Sequence, residues 1–257
     1  MATDSPSLIV EIDGPVYIVR LNRPDALNAF DTDLHLRFGA FWAEVEQDAD
    51  VRAVVITGNG RAFSAGGNLD DFELFHRDFA ARRKALRTAR RLVDEMLNVH
   101  VPVVAAVNGP AVGLGATLMS LCDIVFIANE TFVADTHVAS ALVAGDGGAV
   151  TWPAYTSLLK AKQYLLTGDR IPAAAAVEMG LANFAVPGVE VVEQATAFAH
   201  RLAAMPPQAV QDTKVLLNQV LRSNALQMLN MGLASESQSH DTAEYVEFPT
   251  KVRVKRS

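Results

Sequence analysis

Two β-rich runs, residues 7–12 and 16–21, open the hydrophobic pattern, and the Asp13-Gly14-Pro15 between them predicts a hairpin. The period then changes. Leu34, Phe38, Phe41, Trp42 and Val45 recur at helical spacing behind Asp31 or Thr32, either of which can cap, so an amphipathic helix is predicted over 32–48. Three short runs, 51–57, 103–107 and 124–127, are almost continuously apolar, which suits strands covered on both faces. A long helix is predicted between the first two, over 72–98, and a short one between the second and third, beginning near Gly113. From about Ala149 the pattern turns helical, at 149–165, 173–180, 189–204, 207–222 and 224–236, with little strand. Gly180-Leu181 and Met205-Pro206-Pro207 mark helix ends. The elements predict an α/β layered fold with parallel pairing and a helical back third.

Composition narrows the range of functions. A chain of 257 residues, half of them hydrophobic, can bury a substantial core. The net charge of −7 gives no electrostatic reason to bind nucleic acid or an anionic membrane surface, and a small ligand is expected instead. The single cysteine, Cys122, excludes an intramolecular disulfide framework, and no apolar run reaches membrane-spanning length. The opening MATDSPSLIV lacks the pattern of a secretory signal, so a cytoplasmic protein is expected. Residues 77–91 carry seven basic side chains against one acid, which suits either a solvated helix face or attraction of phosphate.

Candidate chemistry begins in two loops of small residues that follow predicted strands, 57–69 and 108–117. Neither is a nucleotide fingerprint: Gly113-x-Gly115 lacks the third glycine, and no Gly-Lys-Ser/Thr ending follows. Ser64 lacks the first glycine of a nucleophile elbow and reads as a turn residue. Such loops can point free N–H groups into a cleft. If a helix opens at Gly113, the Leu114 N–H lies in its first turn, unpaired and at the positive end of the dipole.

The order of four segments is more specific: 21–29 (LNRPDALNA), 60–69 (GRAFSAGGNL), 106–115 (AVNGPAVGLG) and Cys122-Asp123-Ile124. Together they resemble the crotonase superfamily, the enoyl-CoA hydratase/isomerase family, and the resemblance continues through Leu166-Thr167-Gly168 and 176–181 to the C-terminal helices. It implies an α/β fold with a ββα spiral core over 1–195 and a helical C-terminal trimerisation region over 196–257, assembled as a homotrimer or homohexamer. It also implies an acyl-CoA substrate, with CoA carried by the substrate and no separate cofactor or metal. The thioester oxygen would accept hydrogen bonds from the N–H groups of Ala65 and Leu114, which would stabilise an enolate. CoA and acyl contacts would come from Arg23, Ala26 and Leu27, from Ala65, Gly66, Gly67, Asn68 and Leu69, and from Gly113 and Thr117. Phe248 and Lys251 near the C-terminus would reach a neighbour's nucleotide. The apolar residues of 72–98, among them Phe72, Leu74, Phe75, Phe79 and Leu86, would form one wall of the acyl pocket.

Hydratases of this family use two glutamates, and here their positions fall on Thr117 and His137. A threonine cannot hold a proton at neutral pH, so two-glutamate hydration is not expected. The remaining acid/base candidates are His137 and Asp146 in HVASALVAGDGG, with Asp135 placed to orient His137. The corresponding structural readings are an Asp that bonds its local backbone before a glycine turn and an isolated structural histidine. The sequence therefore predicts an acyl-CoA hydratase/isomerase-type enzyme in which Asp146, with His137, moves a proton, and isomerisation suits these groups better than hydration. Two alternatives stand beside it: a CoA-independent β-diketone hydrolase of the oxocamphor hydrolase type, from the His-to-Gly-Asp-Gly spacing, and a non-catalytic acyl-CoA-binding scaffold.

Overall fold

The computed structural model describes residues 6–68 and 71–248. The hairpin forms as predicted from β1 (Leu8–Asp13) and β2 (Val16–Leu21), with Val10 opposite Val19. Then come α1 (Thr32–Gln47), β3 (Ala53–Gly58), α2 (Asp71–Arg77), α3 (Phe79–Asn98), β4 (Val103–Val107), β5 (Ala111–Val112) and α4 (Leu114–Leu121). β6 (Ile124–Ala128), β7 (Phe132–Ala134), α5 (Gly148–Tyr155), α6 (Leu158–Thr167), β8 (Ile171–Pro172) and α7 (Ala173–Glu178) follow. The chain ends in β9 (Phe184–Val186), α8 (Val191–Ala203) and α9 (Pro207–Ser239).

The main sheet has the order β1-β2-β3-β4-β6-β9, parallel from β2 onward, with Ile18 beside Val55, Val55 beside Val104, Ala105 beside Val125 and Ile127 beside Ala185. Both faces are covered. Val19, Val54, Ile56, Val103 and Ala105 pack toward Phe38 and Trp42 of α1, Met96 of α3 and Leu118 of α4. Ile18, Val55, Val104, Ala106 and Phe126 pack toward Val191, Ala195 and Ala199 of α8. This is why the strands carry almost no polar residues. β5, β7 and β8 form a second, small sheet.

The helical expectations need four changes. The helix predicted over 72–98 breaks at Asp78, which is extended and accepts from the N–H groups of Ala80 (2.8 Å) and Ala81 (3.0 Å), so it caps α3. The stretch 149–165 divides at Ser157, which caps α6 through the Lys160 N–H. The two helices predicted over 207–222 and 224–236 are one. The gap left at Ser223 does not interrupt the helix, and the Asn224 side chain beside it donates to Val150 O of α5 (3.2 Å). The back third is also not purely helical, since β9 joins β6 in the main sheet and α8 covers it. Three residues of strand are too few to show a period.

Parallel pairing sends the loops that follow β2, β3 and β4 off the same edge of the sheet. In open α/β sheets, ligand sites lie beyond the carboxyl ends of the strands. Among the described residues no helix is long and apolar enough to cross a membrane.

Candidate active site

The three loops are tied into one unit by their own backbones. Pro24–Ala26 make a single 3-10 turn, after which Leu27 and Asn28 take positive φ. That turn aims the Asn28 amide at Asn59 O (2.9 Å) and Ala62 O (2.8 Å), while its oxygen accepts from Arg23 N–H (2.8 Å). The next loop docks on this segment through Ala65 N–H to Leu27 O (2.9 Å), Phe30 N–H to Gly66 O (2.7 Å) and Asn68 N–H to Phe30 O (3.2 Å). Ser64 is structural, its hydroxyl donating to Asn28 O (2.8 Å) and accepting from Gly66 N–H (3.2 Å). The loop after β4 joins through Val112 N–H to Ser64 O (2.9 Å). Gly66 has φ +90°, and a Cβ there would sit 2.6 Å from Val112 O, so only glycine permits this contact.

The tally of N–H groups corrects one expected donor. The Ala65 N–H already bonds Leu27 O and has nothing to offer a ligand. Among the described residues, no hydrogen bond engages the N–H groups of Gly67 and Leu114, and both residues line the same cavity. Gly67 has open space where a Cβ would stand, and Leu114 is the first residue of α4, at its positive end.

The cavity holds about 330 Å³. Phe72, Leu74 and Phe75 of α2 and Leu86 of α3 give it apolar wall, while Phe79 is exposed outside it beside Arg82. His137 and Asp146, distant from the loops in sequence, also line it. Asp146 is 4% exposed and accepts from Thr117 Oγ1 at Oδ1 (2.9 Å), and its Oδ2 lies 3.3 Å from His137 Nε2. The other ring nitrogen, Nδ1, is 2.6 Å from Asp135 Oδ1. Gly147, with φ +144°, lets the chain pass Thr117 so closely that a Cβ would sit 2.6 Å from Cγ2.

The electrostatics follow from this geometry. Burial opposes a charge on His137, but the carboxylates of Asp146 and Asp135 on either side hold its imidazole well above the usual histidine range. Burial likewise opposes the Asp146 charge, which the His137 charge and the Thr117 hydrogen bond outweigh, holding its carboxyl below the usual range. The pair is thus imidazolium and carboxylate at neutral pH.

The other expected residues lie as follows. Arg23 is ion-paired with Asp31 and donates to Ala29 O (3.3 Å), while Ala26 and Leu27 stand exposed and half-buried in the docking turn. Asn68 and Gly113 line the cavity. Phe248 stacks on Phe72 of its own chain, with ring centroids 5.7 Å apart. Leu69 and Lys251 lie outside the described residues. Of the basic run, Arg82 is buried and bidentate to Asp241 (2.8 and 3.0 Å), and Lys84 lines the cavity.

Two polar groups of the cavity carry no sequence signal. His35 of α1 is pushed down to about 4 by burial, and its Nδ1 has no partner among the described residues. Glu236 of α9 is pushed up to about 8 by burial and by the Asp146 charge. An acid on an amphipathic helix reads as solvent-facing, and only the packing of α9 turns this one inward.

Known proteins share this arrangement of loops, sheet and helices. Residues 11–247 match the family model described as Enoyl-CoA hydratase/isomerase. The chain is similar to a probable enoyl-CoA hydratase of Mycobacterium bovis, 28% identical over 94% of this chain and 95% of the relative. It is also similar to a putative enoyl-CoA hydratase of Thermus thermophilus, 36% identical over 79% and 81%. Among solved structures, an enoyl-CoA hydratase/isomerase from Mycobacterium paratuberculosis superposes with a TM-score of 0.93 at 46% identity, covering 96% of this chain and 98% of that one. Relatives named for CoA thioesters favour neither the CoA-independent hydrolase nor the scaffold. Its loops, parallel sheet and these likenesses agree: the chain is an enzyme of the enoyl-CoA hydratase/isomerase family, on the crotonase fold.

Proposed function

We propose that this enzyme moves a proton on an acyl-CoA thioester, with Asp146 as the base, and that its favoured reaction is double-bond isomerisation. The thioester oxygen sits between the N–H groups of Gly67 and Leu114. Two fixed donors aimed at an oxygen that gains charge stabilise the enolate, and each is worth about 2.7–4 kcal/mol in comparable sites. They also acidify the α-carbon protons.

The observation that carries the reading is the Thr117–Asp146–His137–Asp135 chain in the cavity that Gly67 and Leu114 also line. Asp146 is a carboxylate with lone pairs to spare, so it can take a proton from one carbon and return it to another. His137 has both nitrogens engaged and acts as a positioning residue that keeps Asp146 charged. Two-glutamate hydration needs a proton-holding group at the Thr117 position, and the Thr117 hydroxyl is spent on Asp146.

In this reading CoA follows the Arg23–Leu27 turn and the 65–68 loop, and the acyl chain lies against Phe72, Phe75 and Leu86. Leu216, Leu217, Val220 and Leu226, all at least 60% exposed on α9, suit self-association of the C-terminal region as a trimer or hexamer in the cytoplasm.

The test is a side-by-side assay of 3-enoyl-CoA isomerisation and 2-enoyl-CoA hydration. Isomerisation should dominate, and Asp146→Asn should lower it by at least about 10²-fold. Unimpaired turnover in Asp146→Asn, or hydration as the faster reaction, would overturn the assignment.

A further inference from the structure

Glu236 stands in the cavity without a part in the proton transfer above. It projects from the last turns of α9 and is 9% exposed. Its Oε2 lies against the backbone of Gly145, where a Cβ would come within 3.0 Å, one residue before Asp146. Among the described residues no salt bridge reaches it, and Oε2 has no hydrogen-bond partner. Of the buried cations lining the cavity, Arg82 is committed to Asp241 through both terminal nitrogens and His137 lies between Asp135 and Asp146. A second unpartnered polar atom, His35 Nδ1, belongs to a residue lining the same cavity.

A buried carboxyl beside Asp146 and Asp135 stays protonated at neutral pH, so it offers an O–H donor as well as an acceptor. Leaving such a group unpaired is unfavourable, and a purely alkyl chain packed against it would enforce that. A ligand oxygen would satisfy it. A ligand carboxylate fits less well, because the charges of Asp146 and Asp135 outnumber the single positive charge of His137 between them.

We infer that Glu236 is a specificity-determining residue that donates its carboxyl proton in a hydrogen bond to an uncharged oxygen on the acyl chain. The preferred substrates are then acyl thioesters bearing a ketone or hydroxyl group, rather than plain alkyl ones. This inference rests on the acyl-CoA reading of the cavity.

Binding tests it without depending on which reaction is catalysed. Affinities of octanoyl-CoA, its 5-, 6- and 7-oxo analogues, 7-hydroxyoctanoyl-CoA and octanedioyl-CoA are measured by calorimetry on the wild-type protein, Glu236→Gln and Glu236→Leu. At least one oxo or hydroxy analogue should bind roughly tenfold tighter than octanoyl-CoA to the wild type. Glu236→Gln, which still donates, should keep most of that preference, and Glu236→Leu should abolish it while binding octanoyl-CoA as well or better. On the wild type alone, the ketone stretch of the favoured oxo analogue should move to lower wavenumber when bound, which keeps the test decisive should Glu236→Leu not fold. Equal affinities for alkyl and oxygenated chains, a preference surviving in Glu236→Leu, or tightest binding of octanedioyl-CoA would overturn the inference and leave the acyl-CoA reading intact. No binding of any of these thioesters would overturn both.

Discussion

Asp146 is held by two groups that can be removed separately, and each removal has its own signature. Thr117→Val deletes one hydrogen bond to the carboxylate, which should raise the Asp146 pKa and lower kcat/KM about tenfold. His137→Gln deletes the neighbouring charge, so the acid limb of the kcat/KM profile should move further toward neutral pH than in Thr117→Val. A pH–rate series on both variants checks the order. The linked stabilities have opposite signs. The depressed Asp146 value contributes stability that is present above the unfolded aspartate pKa and lost on acidification through the folded one. The raised His137 value contributes stability that is complete below the unfolded histidine pKa and lost as pH rises through the folded one. Because Asp146 is buried, His137→Gln leaves its charge uncompensated and should cost about 3–5 kcal/mol in denaturant unfolding at pH 7. Asp146 and His137 were legible in the sequence because few other titratable groups stand in their segment. That they touch was not, since the nine-residue spacing contains a 3-10 turn at Val138–Ser140 and a positive-φ Ala141 that no local pattern announces.

Among the elements, the loop–loop contact through Gly66 and the cap of α3 can be tested by single changes. Gly66→Ala places a Cβ against Val112 O at positive φ, so the two donor loops must part. Stability should fall by about 1–3 kcal/mol and kcat/KM by a larger factor than that destabilisation explains, as unfolding and kinetics on one preparation would show. Asp78→Ala removes the cap at the start of α3, from a residue that does not itself line the cavity, and should cost about 0.5–2 kcal/mol with kcat largely preserved. The elements themselves were largely readable. β2, β3, β4 and β6 are apolar because helices cover both faces, and α1 begins at the cap that Asp31 announces. The missed break at Asp78 was visible as a capping residue inside a helical pattern. The unbroken run past Ser223 was not, because the packing of α9 on α5, with Asn224 bonded to Val150 O 74 residues away, leaves no mark in the local pattern.

For the whole molecule, Glu236 sets a stability gradient. Its carboxyl is raised from the ordinary glutamate range to about 8, so between those values the native state holds a proton that the unfolded chain has released. Stability should therefore decline as pH rises from about 4.5 toward 8 and level off above, as far as this group is concerned. Glu236→Gln should flatten that slope and raise stability near pH 7 by roughly 1–3 kcal/mol, measured as denaturant midpoints across the pH range. α9 brings this group to the cavity, and the segment that follows it is fastened there through Arg82 with Asp241 and through the Phe72–Tyr245 stack at 5.1 Å. By itself the sequence determined the α/β class, the parallel apolar strands, the glycine loops and the family, because each is written in local periodicity or in a short ordered motif. Only the tertiary structure decided which N–H groups are left free, engaging that of Ala65 and leaving that of Gly67, and which polar side chains share a cavity. Hydrogen-bond partners and burial are properties of the packed chain, and Leu27 O, Val150 O and the Glu236 carboxyl reach their places only when distant segments close around them.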